Sequence, residues 1–126
     1  MPDRDQMKSC VERYVACHAA GDVDGIMALF ADNATVWDPV GSDPHSGRDA
    51  VRAFFQGTHD MVDRLDMELT GPIRATADFA AFPMTATSHI GDFHLEIDII
   101  DVMTFDDDAK IVEMRAYWDM KDARQV

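Results

Sequence analysis

The sequence predicts an α+β fold: three helices and one short strand, followed by a curved antiparallel sheet. Three observations carry this. Apolar residues recur every three or four positions up to about residue 60, apart from an alternating stretch at 34–38. Beyond residue 64 they alternate every two positions to the C-terminus. Turn residues at Gly71-Pro72, Gly91-Asp92 and Asp106 to Ala109 cut the alternating part into strands. Helices laid on the concave side of such a sheet enclose a cone with an apolar interior. The 126 residues suit one domain spanning 1–126, and a hydrophobic content of 47% is enough for its core.

Met7, Val11, Tyr14, Val15 and His18 form the apolar face of the first helix, and Gly21 stops it. Asp22 or Asp24 can cap the second, where Val23, Ile26, Met27 and Phe30 make the next stripe. Ala34 to Asp38 reads as a strand that ends at Pro39, with a loop over Val40 to Pro44. The third helix should begin at Ser46, with Asp49 three residues on as a capping-box variant, and carries Val51, Phe54 and Phe55. Leu65, Met67, Leu69, Gly71, Ile73 and Ala75 alternate through a kink at Gly71-Pro72. Residues 79–90, 92–106 and 111–118 are the remaining strands, and Val112, Met114, Ala116 and Trp118 share one face of the last.

Asp and Glu number 24 against 11 Lys and Arg, for a formal charge of −13. A surface of that sign repels nucleic acid and anionic membranes, so neither is an expected partner. The polar start MPDRDQMKSC has no signal-peptide core and no stretch is long enough to span a bilayer, which points to the cytoplasm. Cys10 and Cys17 lie about two helical turns apart, roughly 10 Å, too far for a disulfide, and read as small core residues. The five histidines show no metal-ligand spacing, and no phosphate-binding glycine loop is present. No metal site is expected.

Three polar residues stand where apolar ones belong. On the third long strand, Phe93, Leu95, Ile97, Ile99, Asp101, Met103 and Phe105 share a face, and Asp101 is the exception. A carboxylate buried there without a partner should hold its proton, and a neutral carboxylic acid can donate a hydrogen bond. Asp38 shares a face with Ala34 and Val36, and a partly desolvated carboxylate at the mouth of an apolar cavity is a better base. Tyr14 lies in the middle of the first helix's apolar face, whereas Tyr117 falls opposite Met114, Ala116 and Trp118. Each has a structural alternative: a backbone-bonded Asp, an Asx turn, a core tyrosine. Together they make two donors and a base on greasy walls, a set suited to proton transfer beside a carbonyl.

These residues sit in segments that resemble the Δ5-3-ketosteroid isomerases of the nuclear-transport-factor-two-like (SnoaL-like) superfamily. The similarity runs through Arg13-Tyr14-Val15, AGDVDGI at 20–26, LFADNATV at 29–36, Asp38-Pro39-Val40-Gly41, Ser46-Gly47, TGPIRA at 70–75, IDVMTF at 100–105 and MRAYW at 114–118. It covers most of the chain in order. In that family an aspartate base works beneath an oxyanion hole of tyrosine and protonated aspartic acid. The resemblance implies a cone-shaped, cystatin-like fold, Tyr14 and Asp101 as oxyanion donors, and Asp38 as base. The implied reaction carries a proton from C4 to C6 of a 3-oxosteroid, and no cofactor is needed because the base recycles that proton. Phe30, Phe54, Phe55, Phe82, Met84, Ile99, Met114, Ala116 and Trp118 match pocket positions. The resemblance also implies a cis Asp38-Pro39 bond and a homodimer through the convex sheet faces, with Ile100 and Val102 outward.

Two departures stand out. Phe30 and Phe55 occupy positions where some members carry tyrosines bonded to the oxyanion tyrosine. His18 replaces an apolar residue near the pocket, and the reading favoured is a satisfied core-edge histidine over a contact with the distal end of the substrate. Competing functions are a polyketide-cyclase-like or other isomerase acting on another enolisable substrate, and a non-catalytic ligand-binding dimer.

Overall fold

Asp3 starts the first helix by accepting the Asp5 amide on its carboxylate, and Gly21, at φ 68°, ends it in the left-handed region. Between them α1 (Arg4–Ala20) buries Met7, Cys10, Val11, Tyr14, Val15 and His18, the face expected from their spacing. These details come from a computed structural model describing residues 1–126. The Asp22 carboxylate caps α2 (Val23–Met27) through the Gly25 amide.

The third helix, α3 (Arg48–Asp60), departs from the expected cap. Its N-cap is Gly47, which has no side chain to offer, and Ser46 belongs to β2 (His45–Ser46). Ser46 pairs with Thr35 of β1 (Phe30–Trp37), and their hydroxyls meet at 3.2 Å. Pairing between strands has claimed the hydroxyl that was expected to cap the helix.

The remaining strands are β3 (Arg64–Leu69), β4 (Arg74–Thr76), β5 (Phe79–Ile90), β6 (Phe93–Phe105), β7 (Ile111–Tyr117) and β8 (Arg124–Gln125). The expected kink separates β3 from β4 at Gly71, where a Cβ would lie 2.9 Å from the Pro83 ring. The sheet order is β2-β1-β7-β6-β5-β3, with β4 also on β5 and β8 on β6. The sheet is mixed, because β1 and β7 run parallel. No hairpin joins these two strands, so nothing local forces them to be antiparallel. A bulge corrects the last strand: Glu113 pairs with Thr104 and Ile111 with Phe105, which leaves Val112 over and turns Ile111 inward.

The inward residues form rows across the sheet. Ala80, Met103, Met114 and Val36 make a fully buried row at the closed end of the cone. Two residues along, Phe82, Asp101 and Ala116 form the next row, which reaches the end of β1 at Asp38 because Trp37 pairs with Arg115. Beyond it Met84 pairs with Ile99, Ala86 with Ile97 and Ser88 with Leu95. α1 lies over β3, β4 and β5, and α3 over β1 and β2. Cys10 is buried and Cys17 half-buried, both as free thiols. No helix is long and apolar enough to cross a membrane.

Candidate active site

Tyr14 enters the cone from α1 and is 2% exposed. Phe30, Phe55 and Phe82 meet its ring edge-on at centroid distances of 6.4, 6.2 and 6.5 Å. These rings hold the phenol in place and have no polar atom to offer its hydroxyl. Burial first, and then the neighbouring Asp101 and Asp38 carboxyls, push its pKa well above the usual tyrosine range, so it stays a donor.

Asp101 has no exposed surface, and neither carboxyl oxygen has a hydrogen-bond partner in the protein. Its neighbours across the strands are Phe82 and Ala116, one filling space and the other leaving it open. Removal from water pushes its pKa well above the carboxylate range, and the nearby Asp38 charge pushes the same way. The neutral acid then has an O–H to donate and no acceptor of its own.

Asp38 stands one residue beyond β1, followed by a cis bond to Pro39. The Val40 amide donates to the Ala116 carbonyl at 2.8 Å, which ties this turn to the middle row of the sheet. Two strand spacings separate Asp38 from Asp101 along that row, roughly 10 Å between backbones. The Trp118 indole N–H donates to Asp38 Oδ1 at 2.6 Å. Burial raises the Asp38 pKa to about 6 while the indole bond holds it down, so the group is a carboxylate at neutral pH and readily takes a proton.

Tyr14, Asp38 and Asp101 line one cavity of about 480 Å³, the size of a small-molecule site. Sixteen of its 21 lining residues are hydrophobic, which selects an apolar ligand. Of the expected pocket residues, Phe54, Phe55, Met84, Ile99, Ala116 and Trp118 line it. Phe30, Phe82 and Met114 do not. Phe30 and Phe82 spend their surfaces on Tyr14, and Met114 belongs to the closed-end row. The wall also includes residues not named as pocket positions: Leu65 and Met67 from the alternating face of β3, and Ala86 and Ser88 of β5. Trp118 proves to be both wall and donor to Asp38.

His18 lines the same cavity and is 3% exposed. Its Nδ1 lies 3.0 Å from His59 Nε2 on α3, but its buried Nε2 has no partner. The expectation of a satisfied core-edge histidine is thus met at one nitrogen only.

A curved sheet closed by three helices around an apolar cavity that holds Tyr14, Asp38 and Asp101 defines the nuclear-transport-factor-two-like class of fold. The chain belongs to the SnoaL-like family, whose domain model matches residues 11–114. It is 40% identical over 113 residues to a steroid Δ-isomerase of Nocardioides simplex, covering 90% of this chain and 89% of that one. It is 28% identical to the epoxide hydrolase LasB of Streptomyces lasalocidi, over 96% of this chain but only 50% of that protein's length. Among solved structures, the epoxide hydrolase/cyclase-like enzyme SalBIII, described in pyran ring formation in polyether salinomycin, superposes with a TM-score of 0.89. It shares 32% identity, and both chains are covered in full.

Proposed function

We propose that this protein is a steroid Δ-isomerase converting Δ5-3-ketosteroids to their Δ4 isomers. The observation that carries this reading is Asp101: a carboxyl with both oxygens buried and unpartnered, in the same apolar cavity as Tyr14 and Asp38. An unpaired acid there costs stability, and a negative oxygen forming on the substrate would recover it. Asp38, as carboxylate, takes a proton from C4. The electron pair moves into the ring system, and the dienolate oxygen accepts hydrogen bonds from Tyr14 and Asp101. Asp38 then returns the same proton at C6, so no group is consumed. The 40% identity to the Nocardioides isomerase supports this choice of substrate.

Mixing the protein with 5-androstene-3,17-dione should raise the ultraviolet absorbance of the conjugated enone. No acceleration over buffer would sink the reading.

A second reading draws on the likeness to the epoxide hydrolase/cyclase-like enzymes. A protonated Asp101 can donate to an opening epoxide while Asp38 deprotonates the incoming hydroxyl. Opening of a hydroxy-epoxide with no enone formation would favour it.

We also infer a homodimer through the convex sheet face, where Ile100 lies opposite Tyr117 and both are about half exposed, at 54% and 47%. Light scattering should give twice the 14.1 kDa chain mass, and Ile100→Arg should halve it.

A further inference from the structure

Beyond the base and its two donors, the cavity holds one more polar atom that is both buried and unpartnered: Nε2 of His18. Its ring is fixed on three sides. Tyr14 and Phe55 meet it edge-on at 4.6 and 5.3 Å, and His59 binds its Nδ1 at 3.0 Å. The two imidazole planes lie within 23° with centroids 5.1 Å apart, so the rings are joined end to end along that bond. One proton occupies the bond. If His18 donates it, Nε2 is a bare acceptor; if His59 donates it, Nε2 carries a hydrogen. His59 is only half-buried, so the pair can exchange tautomers with solvent.

We propose that His18 Nε2, held by His59, is a specificity point in the cavity wall that hydrogen-bonds a second oxygen, hydroxyl or carbonyl, on an otherwise apolar ligand. His18 follows Tyr14 by one helical turn, so this oxygen lies near the middle of a steroid-sized scaffold rather than at its far end. The proposal rests on the cavity being the ligand site, and not on which reaction occurs there.

The test uses 2-naphthol and naphthalenediols that add a second hydroxyl at different ring positions, with dissociation constants from calorimetry. At least one diol should bind on the order of tenfold tighter than 2-naphthol. His18→Leu should erase that preference and leave the melting temperature unchanged or raised. His18→Gln should retain part of the preference. In ¹⁵N spectra of the unsubstituted protein, the Nε2 signal of His18 should move with the preferred diol and not with 2-naphthol. His59→Phe should shift the His18 Nδ1 signal and weaken the preference, as expected of a positioning residue. Failure of every naphthol to bind, a preference that survives His18→Leu, or an unmoved Nε2 signal would each overturn the proposal. Steroid turnover is read separately by enone absorbance, so a protein that discriminates diols but isomerises no steroid would refute the isomerase reading alone.

Discussion

Two aspartates share one row of the sheet and one cavity, yet their surroundings give them opposite chemistry. Asp101 sits in the middle of β6 with no exposed surface and no donor, so it keeps its proton. Asp38 sits past the end of β1, half-buried, with the Trp118 indole on one oxygen, so it loses its proton near pH 6. In the proposed mechanism the same residue type serves as donor in one place and base in the other. Position along the row decides which, because depth sets desolvation and the strand end leaves room for a donor.

The most severe way to break this comparison is Asp38→Asn, which keeps the shape and the indole contact but removes the base. Isomerisation of 5-androstene-3,17-dione should fall by about 10⁴-fold. Removing the other member, Asp101→Leu, should slow the reaction on the order of 10²–10³-fold in kcat, as should Tyr14→Phe. A loss below threefold at Asp101 would show that its acid does not face the reacting oxygen.

Asp101→Leu should also stabilise the fold at neutral pH by roughly 1–3 kcal/mol, by replacing an unsatisfied polar group. The pH dependence fixes the sign. Below the ordinary carboxylate pKa of 3.8 both folded and unfolded chains hold the proton. Above it the unfolded chain releases the proton while the folded one retains it, so this residue's contribution to stability falls as pH rises. Urea unfolding should therefore show the Leu variant's advantage growing from pH 4 to pH 8.

Smaller effects sharpen the comparison at Asp38. The kcat/KM profile should lose activity on the acid side with a midpoint near the Asp38 pKa of about 6. Trp118→Phe removes the bond that favours the carboxylate, so that midpoint should move to higher pH with a modest change in the plateau. A midpoint that moved down, or stayed, would mean the indole does not act on the base.

The alternation of β6 was enough to turn Asp101 inward, because one slip in thirteen residues would have exposed Ile97, Ile99 and Met103 together. The same reasoning failed on depth. Phe82, Ala116 and Met114 all point inward, but alternation names a face and not a row, so it could not separate cavity floor from closed end. It also missed the bulge at Val112, which two unequal strand registers create. Ser46 had the right chemistry for a helix cap and lost that role to a strand 11 residues earlier in the chain.

The sequence by itself determined the three helices, the long strands, most of their inward faces and the identity of the three polar residues, since periodicity and local turn chemistry are written in neighbouring positions. Only the tertiary structure decided what those residues could do. The Trp118–Asp38 bond spans 80 residues and depends on β1 lying parallel beside β7. The His18–His59 bond spans 41 and depends on two helices converging over the cavity. Charge state and hydrogen bonding are set by desolvation and by partners across the fold, and neither can be read from a residue's neighbours in the chain.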